Sequence, residues 1–371
     1  MNFPRGSAFS LGHLVLMLLL MCVWLTPAMA QPEMKTKKVI YYGWGSPDTQ
    51  YVQDNWGQIE EMPFDGVGIV VPLDRHAWQG GKRDTGNQLG WQVAGKKAFR
   101  VEDFQDSIKG LKTAKWRKFS DNFLPVAVSV SQAAGLNWFD DLRWRTVANN
   151  FAVVARIAAD GGVKGLILDP EQYDYFLFHY LEQQKQLDRG FESYQEIARQ
   201  RGREVMTAIA AAMPAPVILS LYGYTAALDF VESGKRLKEA PYGLLPAFYD
   251  GLLEALPSGG VLIDGCEQAY GFRERGQFGA AYRRVQEAVK LSSVPKRYRE
   301  QVKAAFGVWL DYKGQANYFS PDEFRRVVTS ALDVSDKYVW IYTEGPRFFP
   351  PAGIESSYIK ALATVRGNMN R

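Results

Sequence analysis

Two carboxylates, Asp169 and Glu171, stand two residues apart at the end of a short apolar run. The run, 165–168, is too short for a helix and predicts a buried parallel strand with acids at its carboxyl end. Because side chains alternate along a strand, Ile167, Asp169 and Glu171 share one face. Apolar surroundings raise the pKa of a carboxyl group, as general acid catalysis requires. We expect acid/base chemistry here, although Asp169 could instead cap the next helix and Glu171 pair with a surface arginine.

An apolar run followed by a helical stretch recurs eight times along the chain. This alternation predicts an α/β fold of the (β/α)8 TIM barrel class. The alternative is an open doubly wound sheet, which needs a glycine-rich phosphate turn after its first strand. Pro47 fits that turn poorly because it lacks an N–H donor. The predicted strands are 38–44, 66–71, 123–130, 165–171, 216–224, 261–267, 304–311 and 338–344.

The carboxyl ends of these strands carry most of the acids and aromatic residues that could act on a ligand. The amino ends are mostly Gly, Val, Lys and Ala, and barrel enzymes take their catalytic side chains from carboxyl ends. The asymmetry therefore predicts a functional rim. The candidate catalytic residues are Glu171, Asp169, Glu344 and Glu267, and the candidate substrate-binding residues are Tyr42, Trp44, Asp74, Tyr173, Tyr222, Tyr224, Asp264, Trp309, Asp311 and Tyr342.

The small number of histidine and cysteine residues limits the kinds of reaction that the protein could catalyse. Beyond residue 30 the chain has only His76, His179 and Cys266, so a histidine-rich metal site cannot be assembled. No G-x-S-x-G nucleophile motif is present. Carboxylates on an aromatic rim fit glycoside hydrolysis, which needs two acids and no metal or cofactor. An oxygen-ligand Mg²⁺ or Ca²⁺ site formed by Asp169, Glu171 and Asp264 stays open as an alternative.

The same strand also carries a family resemblance. The barrel order together with the segment from Gly165 to Glu171 resembles the fourth strand of (β/α)8 glycoside hydrolases, including the family 18 chitinase type, whose strand ends in D-x-D-x-E. The resemblance implies that Glu171 is the acid/base and that Asp169 orients a substrate acetamido group. Ile167 stands where the first aspartate would be, and Ile263-Asp264 replaces the tyrosine-aspartate of the sixth strand.

These departures call for a second carboxylate in place of acetamido assistance. Glu344 ends the eighth predicted strand, and Glu267 lies just past the sixth. Each could instead be a partner for an arginine, Arg347 or Arg273 respectively. The separation of the two carboxyl groups would decide between a retaining and an inverting mechanism.

The amino-terminal residues 1–30 are predicted to be a signal peptide. Arg5 precedes an apolar run over 14–25, and an A-M-A cleavage site ends at Ala30. The mature chain, 31–371, would then be one barrel domain that is exported to the periplasm or secreted and has no further contact with a membrane. An uncleaved membrane anchor is the alternative.

Amino-acid composition limits the kinds of molecule that the protein is expected to bind. The 44 basic and 40 acidic residues leave a formal net charge of +4 without a basic block, so nucleic acid is not expected. Aromatic residues reach 13%, and sugar rings stack on aromatic side chains, which points to a carbohydrate substrate. We expect the protein to be a monomer. A non-catalytic carbohydrate-binding barrel is the rival function, because a binder needs the aromatics but no carboxyl with a raised pKa.

Overall fold

The barrel strands pair in parallel around a closed ring. The computed structural model describes residues 37–74, 85–130 and 133–369, so the predicted signal peptide and His76 lie outside the described part. The strands are β1 Lys38–Tyr41, β2 Gly66–Val67, β3 Phe123–Ala127, β4 Gly165–Asp169, β5 Val217–Ser220, β6 Val261–Asp264, β7 in two segments, Val302–Ala304 and Phe306–Trp309, and β8 Tyr338–Tyr342, with a small hairpin, β9 Arg347–Phe348 and β10 Pro351–Ala352.

Two junctions decide that the sheet is closed. Strand β1 pairs with both β2 and β8, so the first and last strands are neighbours. Strand β3 meets β2 through a parallel bridge between Gly68 and Phe123. The remaining neighbours follow chain order from β3 to β8. The (β/α)8 prediction is therefore confirmed, and the open doubly wound sheet is excluded.

Helices surround the ring on its outer side. A capping box of Ser320 and Glu323 starts one of them, as the sequence predicts. No helix in the described part is long and apolar enough to cross a membrane. The helices are α1 Thr49–Glu61, α2 Leu89–Gln92, α3 Gln105–Thr113, α4 Asp141–Asp160, α5 Tyr180–Gln184, α6 Phe191–Ala212, α7 Thr225–Glu232, α8 Leu245–Ala255, α9 Arg275–Glu287, α10 Pro295–Gln301, α11 Pro321–Val334 and α12 Ser356–Met369.

Apolar side chains form two layers because every barrel strand is buried on both faces. The outer layer lies between strands and helices and contains Leu166 and Leu168 of β4. The inner layer fills the barrel and contains Ile167, Ile263 and Trp340. Alternation along β4 places Ile167 and Asp169 on one face, as predicted from the sequence, and the structure shows that this face points inward.

The strands end earlier than the apolar runs predict. Strand β5 stops at Ser220 rather than at Tyr224, which becomes the residue before α7. Strand β6 stops at Asp264, and a single 3₁₀ turn, Glu267–Ala269, follows it. Residues beyond these ends leave the alternation of the strand, so their direction is decided by the turns that they enter.

Candidate active site

Asp169 is held in place by hydrogen bonds to both of its carboxylate oxygens. It is buried at the inner end of β4, where Oδ1 accepts a hydrogen bond from the Glu171 backbone N–H (2.9 Å) and Oδ2 accepts one from the Tyr173 hydroxyl (3.0 Å). These two bonds fold the chain just past the strand and hold Glu171 beside the barrel mouth. The next helix, α5, begins only at Tyr180, so Asp169 does not act as its cap.

Glu267 reaches the site through an unusual turn. Cys266 adopts a left-handed backbone conformation (φ 44°), which is costly for a residue other than glycine. The buried Asp264 carboxylate accepts a hydrogen bond from the Cys266 backbone N–H (3.1 Å) and thereby holds the turn. Arg273, the alternative partner for Glu267, pairs with Glu323 at 2.8 Å instead.

The surroundings of Glu267 favour its protonated form. Burial, followed by the negative charges of Asp169 and Glu171, raises the pKa of Glu267 to about 8, although the Tyr270 and Tyr222 hydroxyls oppose part of this shift. Its Oε2 atom is buried and accepts no hydrogen bond from the described residues. The negative charges of Asp169 and Glu171 at the end of β4 thus act on Glu267 after β6, and Glu267 carries a proton at neutral pH.

Tyrosines enclose the three acids. Burial and the acids raise the pKa values of Tyr173 and Tyr222, so both hydroxyls stay protonated and can donate hydrogen bonds. Tyr173 as a whole is 42% exposed, but its hydroxyl end is turned inward against Asp169. Tyr242 packs on Tyr222 with 5.5 Å between ring centroids, and burial raises its pKa to about 12.

Aromatic rings form one wall of the barrel mouth. Tyr270 stacks on Tyr342 at 5.2 Å and meets Trp340 edge-on at 5.1 Å. Trp309 packs against both Tyr270 and Tyr342 at 5.4 and 5.3 Å. Tyr42 is buried at the end of β1, and its ring centroid lies 6.3 Å from that of Trp340 on the neighbouring strand β8. The predicted residues Tyr42, Trp309 and Tyr342 therefore lie in one aromatic cluster with two further rings.

Two predicted site residues point away from the barrel interior. Asp264 lies on the outer face of β6, where its Oδ2 accepts a hydrogen bond from the Thr225 hydroxyl (2.9 Å). Tyr224 is buried in the outer layer and donates to Asp250 Oδ1 (2.8 Å). Neither is brought to the three acids. Because Asp264 faces outward, it cannot share a cation with Asp169 and Glu171, and the described residues contain no other group suited to a metal ion.

The remaining predicted residues occupy the periphery of the rim. Asp311 is buried under the loop that follows β8. Glu344 is exposed on that loop and accepts a hydrogen bond from the Tyr342 hydroxyl at 3.2 Å. Trp44 is half exposed. Asp74 is exposed and accepts a hydrogen bond from the Asn87 side-chain amide (3.0 Å).

The sequence prediction omitted two tyrosines that the structure brings to the acids. Tyr270 follows Glu267 by three residues, a spacing that places both side chains on one side of a 3₁₀ turn, so it could have been found. Tyr242 lies between α7 and α8 with no local pattern to mark it.

Comparisons with known proteins find distant structural similarity only. No family model and no curated protein matches the chain. Among solved structures, a GH18 chitinase from Pseudoalteromonas aurantia shares 13% identity over 88% of this chain and 99% of its own, with a TM-score of 0.44. A 3-keto-D-glucoside 4-epimerase from E. coli shares 12% identity over 90% of this chain and 100% of its own, with a TM-score of 0.42. A GH10 endoxylanase from a sugarcane soil metagenome shares 7% identity over 89% of this chain and 97% of its own, with a TM-score of 0.38. At such values the chemistry has to be inferred from the residues of the site.

Proposed function

We propose that the protein is an exported glycoside hydrolase that cleaves a glycosidic bond in an oligo- or polysaccharide by carboxylate acid/base catalysis. The observation that carries the proposal is the coupling of three carboxyl groups, Asp169, Glu171 and Glu267, with a pKa of about 8 for Glu267. A carboxyl that keeps its proton at neutral pH beside an ionised one is the arrangement that glycoside hydrolysis requires.

Each acid has a distinct role in the proposal. Glu267 gives its proton to the oxygen of the leaving sugar as the glycosidic bond breaks. Glu171 is the carboxylate that stabilises the positive sugar centre, as nucleophile or as base for water. Asp169 holds the Glu171 backbone through its hydrogen bond. The sequence-based prediction puts the transferable proton on Glu171, whereas the burial of Glu267 favours Glu267 for that role.

The aromatic wall supplies the binding surface. Sugar rings present flat apolar faces, and Trp309 and Tyr342 offer rings at the mouth beside the acids. Glu344 and the exposed rings of Trp44 and Tyr173 extend this surface around the rim. We assign these residues to substrate contacts rather than to proton transfer.

A screen of glycan libraries for new reducing ends, from pH 4 to pH 9, tests the function. Glu267→Gln keeps the shape of the side chain and removes its proton, so turnover on natural glycans should fall roughly 10²–10⁴-fold. Activated aryl glycosides, which leave without a proton, should be affected much less. Wild-type activity should decline above about pH 8, where Glu267 loses its proton.

Controls separate an enzyme from a binder. Glu102→Gln changes an exposed acid on another part of the surface and should leave turnover unchanged. Glu171→Gln should lower turnover while glycan binding persists. Tight glycan binding by the wild type without any reducing ends across the pH range would refute the enzyme and establish the carbohydrate-binding alternative.

A further inference from the structure

Tyr270 is held next to Glu267 by the local backbone. The two residues bracket the 3₁₀ turn after β6, and the Tyr270 backbone N–H donates to the Glu267 carbonyl oxygen at 3.0 Å. Side chains three residues apart eclipse one another in such a turn. The phenol and the carboxyl group therefore project from the same side of one short segment.

The Tyr270 ring cannot swing away from this position. It stacks on Tyr342 with an interplanar angle of 20° and contacts Trp340 and Trp309 edge-on. The residue is 7% exposed, and its backbone carbonyl accepts a hydrogen bond from the Trp309 backbone N–H (3.2 Å). The surrounding rings therefore fix the direction of the hydroxyl group.

The side chains of this turn contain two buried polar atoms without hydrogen bonds. Neither the Tyr270 hydroxyl oxygen nor Glu267 Oε2 has a hydrogen-bond partner among the described residues. A buried polar atom without a partner is rare in folded proteins and calls for a functional explanation. Burial and the charge of Glu267 raise the pKa of Tyr270, so its hydroxyl keeps its proton and stays a donor.

We propose that Tyr270 is a positioning residue whose hydroxyl donates a hydrogen bond to the Glu267 carboxylate formed in the reaction. The inference rests on the proposed function. As the bond from the sugar carbon to oxygen breaks, the Glu267 proton moves to the departing oxygen, and the leaving sugar departs as an alcohol. The negative charge that remains on Glu267 is then stabilised by a donor already in place, without any proton leaving Tyr270.

The variant Tyr270→Phe removes the donor and keeps the ring. We expect kcat on natural glycans to fall about 10–100-fold, because a hydrogen bond to a charged group is lost in the transition state. The alkaline limb of the pH profile should move upward by about one unit, because the Glu267 carboxylate becomes harder to form. A merely structural role of Tyr270 would lower activity without moving this limb.

Tyr312→Phe is the matched control. Tyr312 contacts Trp309 edge-on at 5.3 Å in the same aromatic cluster, but it is not among the groups that shift the Glu267 pKa. Its variant should leave the alkaline limb in place. An equal movement in both variants would overturn the inference, because the shift would then reflect a general change of the cluster.

A direct titration of Glu267 separates this inference from the proposed function. Carbon-13 NMR of the labelled Glu267 carboxyl should give a midpoint near 8 in the wild type and a higher one in Tyr270→Phe. This readout needs no substrate, so a protein that cleaves no glycan could still show the shift. An unchanged midpoint would overturn the inference even if the enzyme is active. If Tyr270→Phe does not fold, 3-fluorotyrosine can be placed at position 270 instead. Its hydroxyl is a stronger donor, so the midpoint of the Glu267 titration should fall. An unchanged midpoint would again overturn the inference.

Discussion

The two deepest acids of the site differ in how their oxygens are satisfied. Asp169 accepts hydrogen bonds on both oxygens, from the Glu171 N–H and the Tyr173 hydroxyl. Glu267 has a buried oxygen that accepts none. Hydrogen bonds to a carboxylate favour its charged form, and burial without them favours the neutral form. We infer that the proton of the site resides on Glu267.

The raised pKa of Glu267 predicts that Glu267→Gln stabilises the folded protein in a pH-dependent way. The pKa of Glu267 is about 8 in the folded protein against an ordinary 4.5, so the folded state binds the proton more tightly. Wild-type stability attributable to Glu267 is therefore fully present below about pH 4.5 and is lost as the pH rises to 8. Glutamine has no proton to lose, so the advantage of the variant should grow across this window to about 2–4 kcal/mol.

Urea unfolding at pH 4, 6 and 8 measures the effect. Glu102→Gln serves as the control, because Glu102 is exposed and its replacement should change stability equally little at each pH. A difference between Glu267→Gln and wild type that stays constant from pH 4 to pH 8 would mean that Glu267 is already ionised in the folded protein.

At the scale of elements, Asp311 joins the ends of β7 and β8. Its buried carboxylate accepts hydrogen bonds from Trp309 Nε1 (2.9 Å) and from the backbone N–H groups of Glu344 (3.1 Å) and Gly345 (2.8 Å). Trp309 belongs to the aromatic wall, and Glu344 lies on the rim. Asp311 thus ties Trp309 to the loop that follows β8.

Replacing this anchor should affect both stability and binding. Asp311→Ala leaves three buried or half-buried donors without an acceptor, so we expect the free energy of unfolding to fall by about 2–4 kcal/mol. Glycan binding should weaken as Trp309 loses its fixed orientation. Thermal unfolding and calorimetric binding measure the two effects. Asp54→Ala, at an exposed position of α1, should change stability by no more than about 0.5 kcal/mol. A comparable loss in both variants would contradict the role of Asp311.

At the scale of the whole molecule, a buried charge cluster closes the barrel at the end opposite the acids. Asp65 accepts a hydrogen bond from the Val39 backbone N–H (2.8 Å) and forms ion pairs with Lys38 and with Arg366 of α12. Tyr338 at the start of β8 donates to Asp121 at 2.6 Å. The cluster ties the first and last strands and the last helix together where the ring closes.

Arg366→Ala tests the contribution of this cluster. Removing one partner of a buried ion pair leaves Asp65 with less compensation, so stability should fall by about 2–4 kcal/mol in urea unfolding. Arg325→Ala breaks an exposed pair with Asp322, which is 84% exposed, and should cost less than about 1 kcal/mol. Equal small losses would show that Lys38 and the Val39 N–H satisfy Asp65 without Arg366.

The barrel class and the shared face of Ile167 and Asp169 can be predicted from local patterns in the amino-acid sequence. Burial repeats every second residue in a strand and roughly every fourth in a helix, so local patterns reveal both elements and their order. Strand β4 obeys its alternation up to Asp169, and the two outer-layer residues Leu166 and Leu168 lie on the opposite face, as predicted. The aromatic residues Tyr42, Trp309 and Tyr342 follow from the same rule on their own strands.

The location of the proton and the outward direction of some rim residues depend on contacts between distant parts of the chain, so local patterns do not reveal them. Asp264 turned outward because Ile263 occupies the inner face of β6, and Tyr224 left the rim because β5 ended four residues before it. Glu267 entered the site through the left-handed Cys266, which no period in the sequence indicates. Its pKa depends on Asp169 and Glu171, which are remote in the chain and become neighbours only when the ring closes, since charge coupling acts through space.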